Sequence, residues 1–234
     1  MNEPLPPHLR AEGVGKTYTL REASFDILDG VTFTAEAGQV TALVGDSGSG
    51  KTALLHILAL LDRPDRGRVF LCGDDVTALD DPARADVRRR RLGLALHPHD
   101  LLPGQPVSRN VLLPHTGPRD TADHRARQLL DRVGLLPRAS HLCGDLSPGE
   151  RQRVTLARAL INDPPVVLTD HLTGTLDPDS RRQLLGFFRE LADEGRAVVL
   201  VTDDPTVSAA ADTVHRLARG ALVTDAEDDV PVTV

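Results

Sequence analysis

Eight residues, Gly45-Asp46-Ser47-Gly48-Ser49-Gly50-Lys51-Thr52, restrict the fold of this chain more than any other stretch. They satisfy G-x-x-x-x-G-K-[ST], a pattern whose successive backbone N–H groups curl around a phosphate. The flanks agree. The β-rich run Val40-Thr41-Ala42-Leu43-Val44 leads in as a strand, and the mostly apolar run Ala53 to Leu61 leads out as a helix. Glycine permits the curl, and the helix N-terminus adds partial positive charge. Lys51 is spaced to reach the β- and γ-phosphates, and the Thr52 hydroxyl to hold Mg²⁺. The chain has two lysines, Lys16 and Lys51, so a chance match is disfavoured. The alternative is a Gly/Ser turn without a ligand, and the flanking strand and helix argue against it.

A chain of 234 residues suits one or two domains and can bury a core. No apolar run approaches the ~18 residues of a membrane span. Met1 to Arg10 lacks the apolar centre of a signal peptide, so a cytoplasmic protein is expected. Cys72 and Cys143 are too few for a disulfide framework and read as small core or loop residues. The formal net charge of −7 argues against non-specific nucleic-acid binding. The basic run Arg88 to Arg91 reads as a solvated helix end.

In chain order, Leu9 to Thr19 is predicted as a strand. Ser24 to Leu28 and Val31 to Ala35 are predicted as strands paired around Asp29-Gly30, a hairpin signal. Arg68 to Cys72 reads as a short strand, Pro82 to Arg91 as a helix and Leu92 to Leu96 as a buried strand. From the loop at His97 to about Leu146 the pattern changes to helices and loops, with an amphipathic helix over Thr121 to Val133. Ser147-Pro148-Gly149-Glu150 starts a helix, with Ser at the N-cap, Pro at N1 and Glu at N3. Pro165 to Asp170 and Ala197 to Thr202 are buried strands, Asp179 to Ala192 and Asp204 to Ala211 helices. A last hairpin turns at Gly220, and the acidic tail from Asp225 is loose. Buried strands alternating with helices indicate an α/β parallel sheet.

The ordered motifs resemble the ATP-binding subunit of an ABC transporter, of the kind that powers lipoprotein release and macrolide export. The resemblance covers nearly the whole chain. It implies a P-loop NTPase with a RecA-like α/β core, an antiparallel β subdomain and a helical subdomain inserted at about 98–155. It implies ATP and Mg²⁺ as ligands, held by Tyr18 stacking on adenine, by Gly45 to Ala53 and by the Asp170 carboxylate. Leu146 to Glu150 is similar to the signature segment, whose Ser147, Gly149 and Glu150 face the γ-phosphate on the opposite subunit of a dimer. The resemblance further implies a membrane-spanning transporter subunit as partner, docked near the His97–Gly104 loop, and a place at the inner face of the cell membrane.

Several positions depart from the family pattern. Ala53 replaces a second hydroxyl, a loss of ~1.5–3 kcal/mol at most. His97 stands where the family has Gln, and Pro148 replaces the signature's second glycine, removing an N–H. His171 stands in place of the Glu that polarises the attacking water; imidazole can accept a proton, but is at best neutral. Asp203 replaces the His that hydrogen-bonds the γ-phosphate. A like-charge contact at ~4 Å and effective dielectric ~20 costs ~4 kcal/mol before relaxation. These departures make weak hydrolysis the expectation. One function is an ATPase energising transport with slow turnover. The other is a non-hydrolysing, ATP-gated clamp or regulatory subunit, alone in a homodimer or as the degenerate half of a heterodimer.

Overall fold

The computed structural model describes residues 8–223, apart from Glu22, 97–99 and 171–176. The chain opens with two long strands, β1 (Leu9–Leu20) and β2 (Ala23–Ala35). They pair antiparallel along their full length, from Leu9↔Ala35 to Leu20↔Ala23. β3 (Val40–Val44) and α1 (Lys51–Leu58) follow, then the short strands β4 (Arg66–Leu71) and β5 (Asp74–Asp75). These complete an antiparallel sheet in the order β2-β1-β4-β5.

After α2 (Asp81–Arg91) and β6 (Leu92–Ala95) come three helices, α3 (Val107–Leu112), α4 (Arg119–Arg132) and α5 (Pro148–Ala159). The chain then alternates: β7 (Val166–Asp170), α6 (Pro178–Asp193), β8 (Ala197–Val201), α7 (Pro205–Ser208), β9 (Thr213–Ala218) and β10 (Ala221–Val223). The second sheet has the order β10-β9-β3-β8-β7-β6, parallel except for β10. β3, β7 and β8 are buried at every residue, as their continuous Val/Leu runs require of parallel strands covered on both faces.

α1 is the element around which the two sheets close. Ala53, Leu54, Leu55, Ile57 and Leu58 share one core with Leu9, Phe33 and Leu28 of the antiparallel sheet and with Leu43, Leu168 and Val199 of the parallel one. Each such leucine contributes about 1.5–3 kcal/mol on burial, so the helix carrying the phosphate loop is held from both sides. The start of β3 is pinned as well. The Val40 N–H and the Arg189 guanidinium both donate to Asp212, and Arg189 also donates to the Gly38 carbonyl.

The predicted hairpin at Asp29-Gly30 does not form. β2 runs through it without a break, and Gly30 keeps φ 68° as a strand irregularity. The Asp29 N–H donates instead to the Gly220 carbonyl at 2.8 Å. β1 offers a full-length partner, so the left-handed glycine bends the strand rather than turning it. The helix expected over Asp204 to Ala211 shrinks to α7, capped where Asp204 accepts from the Thr206 N–H at 2.8 Å. The Arg88 to Arg91 run is more than a solvated helix end. Arg88 donates to the Leu60 carbonyl, and Arg91 to the Leu71 carbonyl and Asp74. Cys143 is buried and Cys72 half-buried, as expected of core and loop residues. The acidic tail lies outside the described residues.

Candidate functional site

The chain must leave the buried end of β3 and enter α1 within a few residues. Gly45 does so at φ 154°, Gly48 at 80° and Gly50 at 105°. A Cβ on Gly45 would stand 2.2 Å from the Leu217 carbonyl oxygen, and one on Gly50 2.7 Å from that of Ile27. Both obstacles are backbone, so neither position accepts a side chain without moving the loop. At Gly48 nothing lies within 4 Å, which leaves open space beside the loop.

Lys51 folds back into that loop. Its Nζ donates to the Gly45 carbonyl at 2.6 Å and to that of Asp46 at 2.7 Å. An ammonium has three hydrogens, so one remains to meet an anion. The Ser49 hydroxyl is buried and has no hydrogen-bond partner among the described residues. Buried hydroxyls are normally paired, and a phosphate oxygen held in the loop would satisfy this one. The left-handed glycines, the lysine held inside the ring and the orphan hydroxyl all fit a polyphosphate.

A cleft of about 610 Å³ opens beside the loop, lined by Tyr18, Ile27, Lys51, Thr52, His56 and Asp203 among others. Tyr18 is 44 % exposed, so it is no core aromatic. Its hydroxyl donates to Asp62 at 3.0 Å. Partial burial, and then that hydrogen bond, hold its phenol above the usual range. Asp203 reaches the cleft because β8 pairs directly with β3, so the chain leaving β8 emerges beside the phosphate loop. Asp203 is an exposed residue on the wall of this cleft. Asp170 ends β7, one strand farther from β3, and is 6 % exposed. It does not line the cleft.

Ser147, Gly149 and Glu150 stand at the start of α5, not on the cleft. The Ser147 hydroxyl accepts from the Glu150 N–H at 3.3 Å, and the Glu150 carboxylate accepts from the Ser147 N–H at 2.8 Å. This is the predicted cap, closed in both directions. The bond from the Ser147 N–H holds the Glu150 carboxyl below its ordinary range despite partial burial. His97 and His171 lie outside the described residues, so neither candidate is placed.

Sequence reasoning passed over Asp62, which receives the Tyr18 hydroxyl, and, although it placed the turn at Gly220, the contact of that turn with the loop. The Gly220 N–H donates to the Ser49 carbonyl at 3.0 Å. No local pattern links residues so far apart. It also passed over Asn110, fully buried, whose side chain accepts from the Leu102 N–H and donates to the carbonyls of Leu102, Gln105 and Pro106. That single amide organises the loop ahead of α3.

The family model described as ABC transporter matches residues 28–174. The macrolide export ATP-binding/permease protein MacB of Chlorobium luteolum is 39% identical over 228 residues, covering 97% of this chain and 34% of that protein. MacB of Rhodospirillum rubrum is 40% identical over 230 residues, covering 97% and 35%. The chain thus spans about a third of the length of these curated relatives. A dimeric bacterial ABC transporter cassette is similar in structure at TM-score 0.86 and 31% identity, over 92% of this chain and 97% of that one. A post-hydrolysis cassette dimer solved with ADP and Pi gives TM-score 0.86 at 30% identity, over 92% and 97%.

Proposed function

The chain belongs to the ABC transporter family as one of its ATP-binding cassettes, and from that premise we propose that it binds MgATP at a dimer interface and drives transport by a membrane-spanning transporter subunit, with weak hydrolysis of its own. The observation that carries the reading is the cleft joining the 45–52 loop, Tyr18 and Asp203. In this reading the loop N–H groups, Lys51 and Ser49 hold the phosphates, and Tyr18 stacks on the base. The Thr52 hydroxyl and the Asp170 carboxylate hold Mg²⁺, which offsets phosphate charge when bound. Ser147, Gly149 and Glu150 serve the site of the other subunit. That none of the three lines this chain's own cleft supports the assignment.

His171 occupies the general-base position, and His97 the Gln position from which an imidazole can touch Mg²⁺ or the attacking water. The helical subdomain at about 98–155 docks the membrane subunit, at the inner face of the cell membrane. Among the described residues no helix is long and apolar enough to cross a membrane, and the MacB relatives are named as joint ATP-binding and permease proteins.

A second reading is favoured by Asp203 itself. A carboxylate on the phosphate wall opposes a γ-phosphate, which suits a non-hydrolysing clamp or the degenerate half of a heterodimer. ATP binding and turnover, measured on the chain beside Lys51→Ala and His171→Glu/Asp203→His, separate the two. MgATP binding without turnover, with hydrolysis restored by the double substitution, supports the clamp. Lys51-dependent turnover by the unaltered chain supports the motor. No Lys51-dependent binding of ATP at all refutes both.

A further inference from the structure

We propose that Asp62 is a positioning residue for the nucleotide base, acting through the Tyr18 hydroxyl. The inference rests on the reading of Tyr18 as the base-stacking ring. An exposed ring on a strand samples several rotamers unless something holds it. Here the Tyr18 hydroxyl donates to Asp62 Oδ2 at 3.0 Å. Asp62 Oδ1 in turn accepts from Lys16 Nζ at 2.9 Å and from the Arg63 N–H at 2.7 Å. Lys16 also donates to the Arg63 carbonyl at 2.8 Å and lies 5.5 Å from the centre of the Tyr18 ring. From α2, Arg84 donates to the Asp62 carbonyl at 2.6 Å.

The carboxylate is therefore fixed from β1, from its own segment and from α2 before it receives the phenol. Its backbone is tied to α1 as well, since the Asp62 N–H donates to the His56 carbonyl at 3.1 Å. α1 begins with Lys51 and Thr52 at the phosphate loop. One short helix, about 12 Å long, thus spans from the phosphate contacts to the anchor of the ring. The spacing between the base platform and the phosphate cradle is set by a rigid element rather than by a free side chain. The alternative is that Asp62 serves only as a staple between β1 and α1 through Lys16. The two roles differ in what the Tyr18 hydroxyl does.

The test uses the whole chain, with affinities for ATP and for inorganic tripolyphosphate, which has no base. Asp62→Ala and Tyr18→Phe should each weaken ATP binding by about 2- to 12-fold, the cost of ordering one side chain on binding. The double variant should be no weaker than either single, and tripolyphosphate affinity should not move. Asp62→Asn, whose amide oxygen still accepts from the phenol, should recover part of the loss. Equal weakening of both ligands by Asp62→Ala, multiplying effects in the double variant, or no effect on ATP would overturn the proposal. Tyr18→Phe removes one exposed oxygen, so the test stands even if Asp62→Ala folds poorly. Tyr18→Ala separates the layers. If it leaves ATP affinity intact, the stacking reading fails and the inference with it. If it weakens ATP while Asp62→Ala and Tyr18→Phe do not, the inference alone fails.

Discussion

Replacing Asp203 with Asn should tighten ATP binding. The substitution keeps the shape of a side chain that lines the phosphate cleft and removes its charge. A unit like-charge pair at ~4 Å costs ~4 kcal/mol at effective dielectric ~20, and ~1 kcal/mol in bulk water. Asp203 is exposed, so the effect should lie toward the solvated end, at about 1–2 kcal/mol. That corresponds to roughly 5- to 30-fold in Kd. Titration calorimetry of ATP and ADP at low and high salt is the appropriate assay. ATP should gain more than ADP, because the β8 exit faces the end of the phosphate chain in the proposed pose. The gain should shrink as salt shortens the Debye length from ~30 Å at 0.01 M to ~10 Å at 0.1 M. An unchanged ATP affinity at low salt, or equal gains for ATP and ADP, would refute the electrostatic argument.

Other outcomes follow from the same geometry. Lys51→Ala should weaken ATP binding by about 10- to 150-fold, the value of one charged hydrogen bond, as read by the same calorimetry. Ser147→Ala should cost about 1 kcal/mol in urea unfolding and Ser147→Gly only a few tenths, since the cap bond closes locally. Gly50→Ala should cost about 1–3 kcal/mol of backbone strain and lower the thermal midpoint, because its Cβ meets the Ile27 carbonyl. His215 gives the pH dependence. Burial against Phe33 lowers its pKa, with a hydrogen bond to the Thr34 carbonyl opposing. The unfolded chain then binds the proton more readily. Stability is complete above the unfolded value near ~6.5 and falls as pH drops below it toward the folded value. A midpoint that stays flat from pH 7 to 5, in a variant series including His215→Phe, would contradict this.

The phosphate loop, the parallel strands and the α5 cap were legible because each is written in consecutive residues. The strand–glycine–helix alternation around Lys51 and the Ser147-Pro148-Gly149-Glu150 start needed no knowledge of tertiary neighbours. Tyr18 was legible as a site residue, but not what holds it. Its Asp62 partner lies in a loop whose letters announce only a turn. The Asp29-Gly30 hairpin misread shows the converse. The pair has good turn chemistry, but the competing partner strand β1 and the Gly220 carbonyl are non-local, and they decided the outcome. Asp203 was legible as a departure from a family pattern, whereas its place on the cleft wall depended on β8 lying next to β3. His97 and His171, the two histidines that the proposed reading assigns to turnover, fall outside the described residues, so for them the letters alone still speak.

The bond from the Gly220 N–H to the Ser49 carbonyl joins two points far apart in the order of synthesis. β3 is flanked by β8 and β9, both made late. The nucleotide cradle is therefore translated well before its walls, which are complete only once β8 and β9 have followed. Until then the loop of Lys51 and its glycines follows a strand, β3, that has neither of its partner strands. A nascent chain halted before residue 213 would lack the β9 neighbour of β3 and the turn that props the loop.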